Sequence, residues 1–200
     1  MINFDIKRQE LNSRGLLLLR AFFGYFYIII PHSILLALLS IGGLFINIIT
    51  FWIILFTAKY PDWSWNYNVK LIRYSLRVNA SIYNLTDVYP EFGLEGSHPN
   101  INFDLPFQKQ QSRGRLIIRA LFGQLMLLPH IIVLVFLGIG AAFVMIISWW
   151  VILFTGKYPE GMFDFIVRVM RWQLRVQCWK IFLTPNYPDF TGKIIEGENK

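Results

Sequence analysis

The sequence predicts an all-α integral membrane protein made of two repeated units. Each unit is a membrane helical hairpin, kinked at a proline, followed by a basic amphipathic interfacial helix and preceded by a short strand-like segment. Three observations lead there. Arg20 and Lys59 bound 38 residues without one Asp, Glu, Lys or Arg, and Arg119 and Lys157 bound 37 more. Uncharged runs of that length, rich in Leu, Ile, Val and Phe, have hydrocarbon as their natural solvent. The second run repeats the first at a series of fixed positions. After each run, cations recur at helical spacing: Lys70, Arg73 and Arg77, then Arg168, Arg171 and Arg175.

Composition narrows the class. Of 200 residues 55% are hydrophobic, 17% aromatic and 16% charged, against roughly 25% charged in a soluble domain. Mean hydropathy is +0.46. The formal charge of +7 lies outside the two apolar runs, so an anionic lipid surface fits these cations better than nucleic acid does. The single cysteine, Cys178, excludes an internal disulfide and any cysteine metal cluster, and its apolar neighbours make it a packed thiol. The N-terminus lacks the layout of a cleaved signal peptide, and Ile2 stands where myristoylation requires glycine. The first apolar run is expected to act as an uncleaved insertion signal.

The duplication is explicit. Asn3-Phe4-Asp5, Arg14-Gly15, Arg20-Ala21 and Gly24 return 99 positions later, as Asn102-Phe103-Asp104, Arg113-Gly114, Arg119-Ala120 and Gly123. Pro31-His32 returns 98 later as Pro129-His130, and that offset holds to the end of each unit. It covers Phe56-Thr57-x-Lys59-Tyr60-Pro61 and Phe154-Thr155-x-Lys157-Tyr158-Pro159. It also covers Leu85-Thr86-x-x-Tyr89-Pro90-x-Phe92 and Leu183-Thr184-x-x-Tyr187-Pro188-x-Phe190. One residue is therefore lost between Gly24 and Pro31 in passing to the second copy. The repeats are placed at 1–95 (hairpin 15–58, amphipathic helix 64–85) and 96–200 (hairpin 114–156, amphipathic helix 162–183).

The pattern Pro-His, Leu-Phe-Thr-Gly-Lys-Tyr-Pro, Arg-Trp-x-Leu-Arg-Val and Leu-Thr-x-x-Tyr-Pro-x-Phe resembles an uncharacterised bacterial membrane family, catalogued as domain of unknown function four-three-eight-nine. The resemblance covers both halves as two tandem copies and is closer in the second. In the first, Ala58 stands for the glycine of Thr-Gly-Lys and Tyr74 for the tryptophan of Arg-Trp. It implies a bacterial membrane location but no substrate, cofactor or catalytic residue.

Taken in order, each unit opens on an alternating segment, Ile2 to Ile6 or Ile101 to Leu105, that reads as a short strand able to pair with its equivalent. The apolar run follows. As one helix it would measure about 57 Å, nearly twice the roughly 30 Å of hydrocarbon. Two readings compete. In one, a hairpin turns near Ser40-Ile41-Gly42-Gly43 and near Gly138-Ile139-Gly140. In the other, residues 16–30 lie in the interface, Pro31 breaks the helix, and 33–57 span. The hairpin keeps all nineteen Lys and Arg on one side, as the positive-inside tendency favours, although arms of about 19 residues leave little for a loop. The basic helices, with Trp63, Trp65 and Tyr60 before the first, read as interfacial. Residues 93–100 form a linker, and the tail 192–200 is frayed or partner-bound.

His32 and His130 are the sharpest candidates for chemistry, since polar groups inside apolar runs mark functional sites by default. Facing one another, they would serve as proton carriers or axial haem ligands. Alone, each caps backbone freed by the neighbouring proline. A histidine pair supplies too few ligands for zinc. Arg20, Arg119, Lys59, Lys157 and the two basic stripes are expected to meet lipid headgroups. Asp5 and Asp104 read as capping or ion-pairing residues. No catalytic set or nucleotide fingerprint is legible, and no cofactor or metal is expected.

The expected function is a non-catalytic membrane scaffold or accessory subunit, in the bacterial cytoplasmic membrane with its basic face cytoplasmic. It would bind anionic lipid and a protein partner or further copies of itself, and no nucleic acid. Gly42-Gly43 and Gly138-x-Gly140-Ala141-Ala142 would admit partner helices. The alternative is a small proton or ion transporter or channel using His32 and His130.

Overall fold

In the computed structural model, residues 2–193 are described. The tail expectation for 194–200 lies outside them. The order is β1 (Asn3–Ile6), α1 (Arg14–Gly24), a π-helical turn (Tyr25–Ile29), α2 (Ile30–Thr57), α3 (Asp62–Ile82), β2 (Ile101–Asp104), α4 (Arg113–Thr155) and α5 (Glu160–Lys180). The strands and amphipathic helices fall within a few residues of their expected places.

The hairpins do not. α1, the π turn and α2 run into one another as a single helical rod, and α4 is a second, unbroken through Pro129. Neither rod turns at Ser40–Gly43 or at Gly138–Gly140. A glycine inside a helix costs only about 1 kcal/mol, whereas a turn amid apolar side chains strands backbone groups with no water to take them. Pro31 does not break the first rod either. It follows directly on the π turn, and the Tyr27 carbonyl, four residues before it, accepts the Tyr89 hydroxyl at 2.9 Å in place of a backbone N–H.

Reversal comes later, at Ala58 and Gly156. Both adopt the left-handed region as C-caps, with φ of 57° and 72°, and Pro61 and Pro159 follow at the starts of α3 and α5. From there α3 runs back along α2. Thr50 donates to Ser64 at 2.6 Å, Asn68 to Asn47 at 2.9 Å and Tyr67 to the Leu39 carbonyl at 2.6 Å. The small residues meet this returning helix, not a foreign one: Gly42 and Gly43 seat Tyr67 and Leu71, and Gly140 seats Phe165 of α5.

The π turn accounts for the break in the repeat. Equivalent residues are 99 apart up to Gly24 and 98 apart from Pro31, and Tyr25–Ile29 lies between them. A π turn is a helix carrying one extra residue. Beyond it the inward faces coincide again: Leu17, Gly24, Ile28, His32, Gly43, Thr50 and Ile54 are buried, as are Leu116, Gly123, Leu127, His130, Ala141, Ser148 and Ile152.

The halves exchange their strands. β1 and β2 pair antiparallel with Phe4 opposite Phe103, so equivalent residues face each other across a pseudo-two-fold axis. β1 packs on α5 and β2 on α3. Arg171 donates through Nε and Nη2 to the Phe4 carbonyl at 3.1 and 3.0 Å, and Arg73 reaches the Phe103 carbonyl at 3.2 Å. At the rod ends Arg14 donates to the Phe154 carbonyl and Arg113 to that of Phe56. Each rod's N-terminal arginine thus meets the orphan carbonyls and negative dipole end of the other. The core joins Ile54, Ile152, Ile166 and Leu183 to Phe4, Phe103, Ile72 and Leu76.

Candidate functional site: two histidine clamps

His32 and His130 are fully buried, one in each half. His32 Nδ1 lies 2.7 Å from the Tyr74 hydroxyl, and Nε2 lies 3.0 Å from that of Tyr89. Phe92 stacks on the imidazole at 4.0 Å and 11°. Tyr89 donates its own proton to the Tyr27 carbonyl at 2.9 Å, so its oxygen receives Nε2–H, and Tyr74 donates to Nδ1. The second clamp differs at both ring nitrogens: an indole stands at Nδ1, and Nε2 has no hydrogen-bond partner. Trp172 Nε1–H donates to His130 Nδ1 at 3.0 Å. An indole can only donate, so the proton again sits on Nε2. Tyr187 donates to the Met126 carbonyl and Phe190 stacks at 3.9 Å.

The clamps explain the Tyr-Pro-x-Phe ending of each unit. It carries the chain past α3 or α5 and folds a tyrosine and a phenylalanine over the rod's histidine. Tyr74, Tyr89, Phe92, Trp172, Tyr187 and Phe190 are thus the residues that sequence reasoning quoted as motif without assigning to the histidines. Their recurrence at the 98-residue offset was the signal available. No contact among the described residues joins the two imidazoles, and each is closed in by its own half. Nor do three His, Cys, Asp or Glu side chains gather at one point among those residues.

Half of the basic stripe turns inward. Arg77, Arg171 and Arg175 are 2%, 4% and 4% exposed. Arg77 donates to the carbonyls of Gly96 and Gly93, and Arg175 to those of Thr191 and Lys193. Burial lowers the pKa of Arg77 from its ordinary value. Gly96 is required here, since a Cβ would stand 2.9 Å from Arg77 Nη2. Arg171 approaches Asp5 at 3.7 Å, and Lys70 pairs with Glu95. These guanidiniums meet carbonyl oxygens where headgroup phosphates were expected, because both are strong acceptors and the linker carbonyls lie closer. Lys59, Arg73, Lys157 and Arg168 remain on the surface.

Arg20 and Arg119 are half-buried. Arg20 donates to the Thr86 and Asp87 carbonyls at 2.6 and 2.8 Å, and Arg119 to those of Thr184 and Pro185. Arg119 also lies 4.7 Å from the Trp179 ring centre. Cys178 is a buried free thiol whose pKa burial pushes up to about 12, a packing residue.

Fold and clamps together define a mostly helical protein with two long apolar rods, each fastened by an aromatic-enclosed histidine to the helix that follows it. Residues 115–191 match the family described as "Domain of unknown function (DUF4389)". No curated protein and no solved structure matches the chain.

Proposed function

We propose that the protein is a non-catalytic membrane scaffold whose rods lie in the plane of the membrane, outward faces sunk in one leaflet. The carrying observation is the two-sidedness of the rods along their whole length. Ile34, Leu38, Ile41, Phe45, Ile48, Trp52 and Phe56 form one exposed apolar stripe, and Ile132, Phe136, Ile139, Phe143, Ile146, Trp150 and Phe154 repeat it. Only 11% of the most apolar window of each rod is buried, unlike a soluble core helix. The opposite face carries protein throughout, including Asn68, Lys70, Arg73 and exposed Glu95.

Each rod is long and apolar enough to cross a membrane. At about 66 Å for the first, it would overshoot the roughly 30 Å of hydrocarbon. Standing upright, it would also carry that polar layer through the bilayer centre, where each charge costs several kcal/mol. Lying flat satisfies both faces, as an interfacial amphipathic helix does. In this reading Lys59, Lys157 and Arg168 meet anionic headgroups, and the first half is a second copy of the matched domain. A bacterial cytoplasmic-membrane location and a helical partner or further copies belong to the same reading. A proton path through His32 and His130 draws no support from two separate clamps.

Spin labels at Ile34, Ile41, Ile48 and Phe56, read by oxygen and nickel relaxation in liposomes, test the orientation. A flat rod gives one shallow depth at all four sites. A depth that rises and falls along the rod would establish a spanning helix.

A further inference from the structure

The halves differ most beside Arg20 and Arg119. In the second half Trp179 covers Arg119, and Phe182 packs against Phe51. The equivalent residues in the first half are Ser81 and Asn84. With both rings missing, a cavity of about 330 Å³ opens between the first rod and α4, lined by Leu17, Arg20, Ile28, Ser81, Met145 and Trp149. Ile29, Ile146 and Trp150 also line it and are exposed on the outward apolar face. The cleft therefore opens sideways onto the stripe assigned to lipid.

We propose that this cleft holds one acyl chain of an anionic phospholipid, with its phosphate on Arg20. The proposal rests on the in-plane reading for its source of ligand. Its volume falls within the roughly 300–1,000 Å³ of ligand pockets, and nearly all of its lining is apolar. The polar end suits an anion. Among the described residues no carboxylate lies within ion-pair distance of Arg20. The nearby Asp87 carboxylate instead accepts from the Ser13 N–H at 2.7 Å. Arg20 Nη1 and Nη2 each spend one N–H on the Thr86 and Asp87 carbonyls, and the remaining N–H groups of the guanidinium are left for a phosphate oxygen. Trp149 adds to the apolar wall of the cleft, and Phe51 stands at its equivalent position in the other half.

Native mass spectrometry of the delipidated full chain, titrated separately with phosphatidylglycerol, phosphatidylcholine and oleate, tests this. Phosphatidylglycerol should give a single retained adduct, at least tenfold preferred over phosphatidylcholine. The Ser81→Trp/Asn84→Phe double variant, which copies the filled half, should lose it. Ala21→Phe, at the exposed mouth, provides a blocking variant that leaves the interior untouched. Arg20→Gln should erase the preference between the two phospholipids while keeping chain binding. No single adduct, an adduct unchanged in both blocked variants, or stronger retention of oleate would overturn the assignment. Liposome flotation of the wild type separates the two ideas. Failure to float sinks the leaflet reading, and flotation without the adduct sinks the cleft alone.

Discussion

His98 shows at the residue scale how burial turns into a pH dependence. It sits in the linker, where its Nδ1 accepts the Asn100 N–H at 3.1 Å. Burial first, and then the Arg77 charge, lower its pKa from 6.5. The folded protein thus resists a proton that the unfolded chain accepts near pH 6.5. The stability tied to neutral His98 is complete above that pH and declines as pH falls toward the depressed folded value. Thermal unfolding in detergent should show the wild type losing more stability than His98→Gln between pH 7.5 and pH 5. Equal losses in the two proteins would show that His98 is not coupled to folding. His32 and His130 make the complementary point: a tyrosine in one half and a tryptophan in the other hold the same tautomer, because both donate to Nδ1.

Helix ends set the element scale. Ala58 and Gly156 close equivalent helices in the same left-handed conformation, but alanine meets steric cost there and glycine does not. Ala58→Gly should stabilise the protein by about 0.5–1 kcal/mol, and Gly156→Ala should destabilise it by about 1 kcal/mol or slightly more. Denaturant midpoints of the two variants check the signs. Destabilisation by Ala58→Gly together with stabilisation by Gly156→Ala would mean that the caps are not under conformational strain. The π turn belongs to this scale too. It absorbs one residue and returns His32 to the inward face, where Tyr74 and Tyr89 wait.

Strand exchange dominates the whole molecule. Neither half is complete, because Arg73 takes a carbonyl partner from Phe103 and Arg171 takes one from Phe4, each in the other half. The rod ends are tied just as reciprocally. Residues 96–200 expressed alone should therefore self-associate, a second copy supplying the missing strand as in domain swapping. Light scattering in mild detergent should return a dimer mass. The intact chain, which satisfies the same contacts internally, should need no second copy to satisfy them. A stable monomeric half would show that the exchanged strands contribute little.

Local pattern was enough to locate the apolar runs, the sequence repeat, the short strands and the helices that follow the runs. Each is written in composition or short periodicity: an uncharged run, an offset of 99 or 98, alternation in Asn-Phe-Asp, cations at i, i+3 and i+7. Where the chain reverses was not settled that way. Gly42-Gly43 reads equally as a turn or as a seat for a returning helix, and Tyr67 makes it the second. The destination of the basic stripes was hidden for a similar reason. A guanidinium takes any strong acceptor, and only packing puts the carbonyls of Gly93, Gly96 and Phe103 within its reach. The exchange of strands, the enclosure of each histidine and the cleft left open by Ser81 and Asn84 all depend on residues far apart in the chain. Tertiary structure alone decided them, because periodicity gives an element its faces but not the neighbour that each face meets.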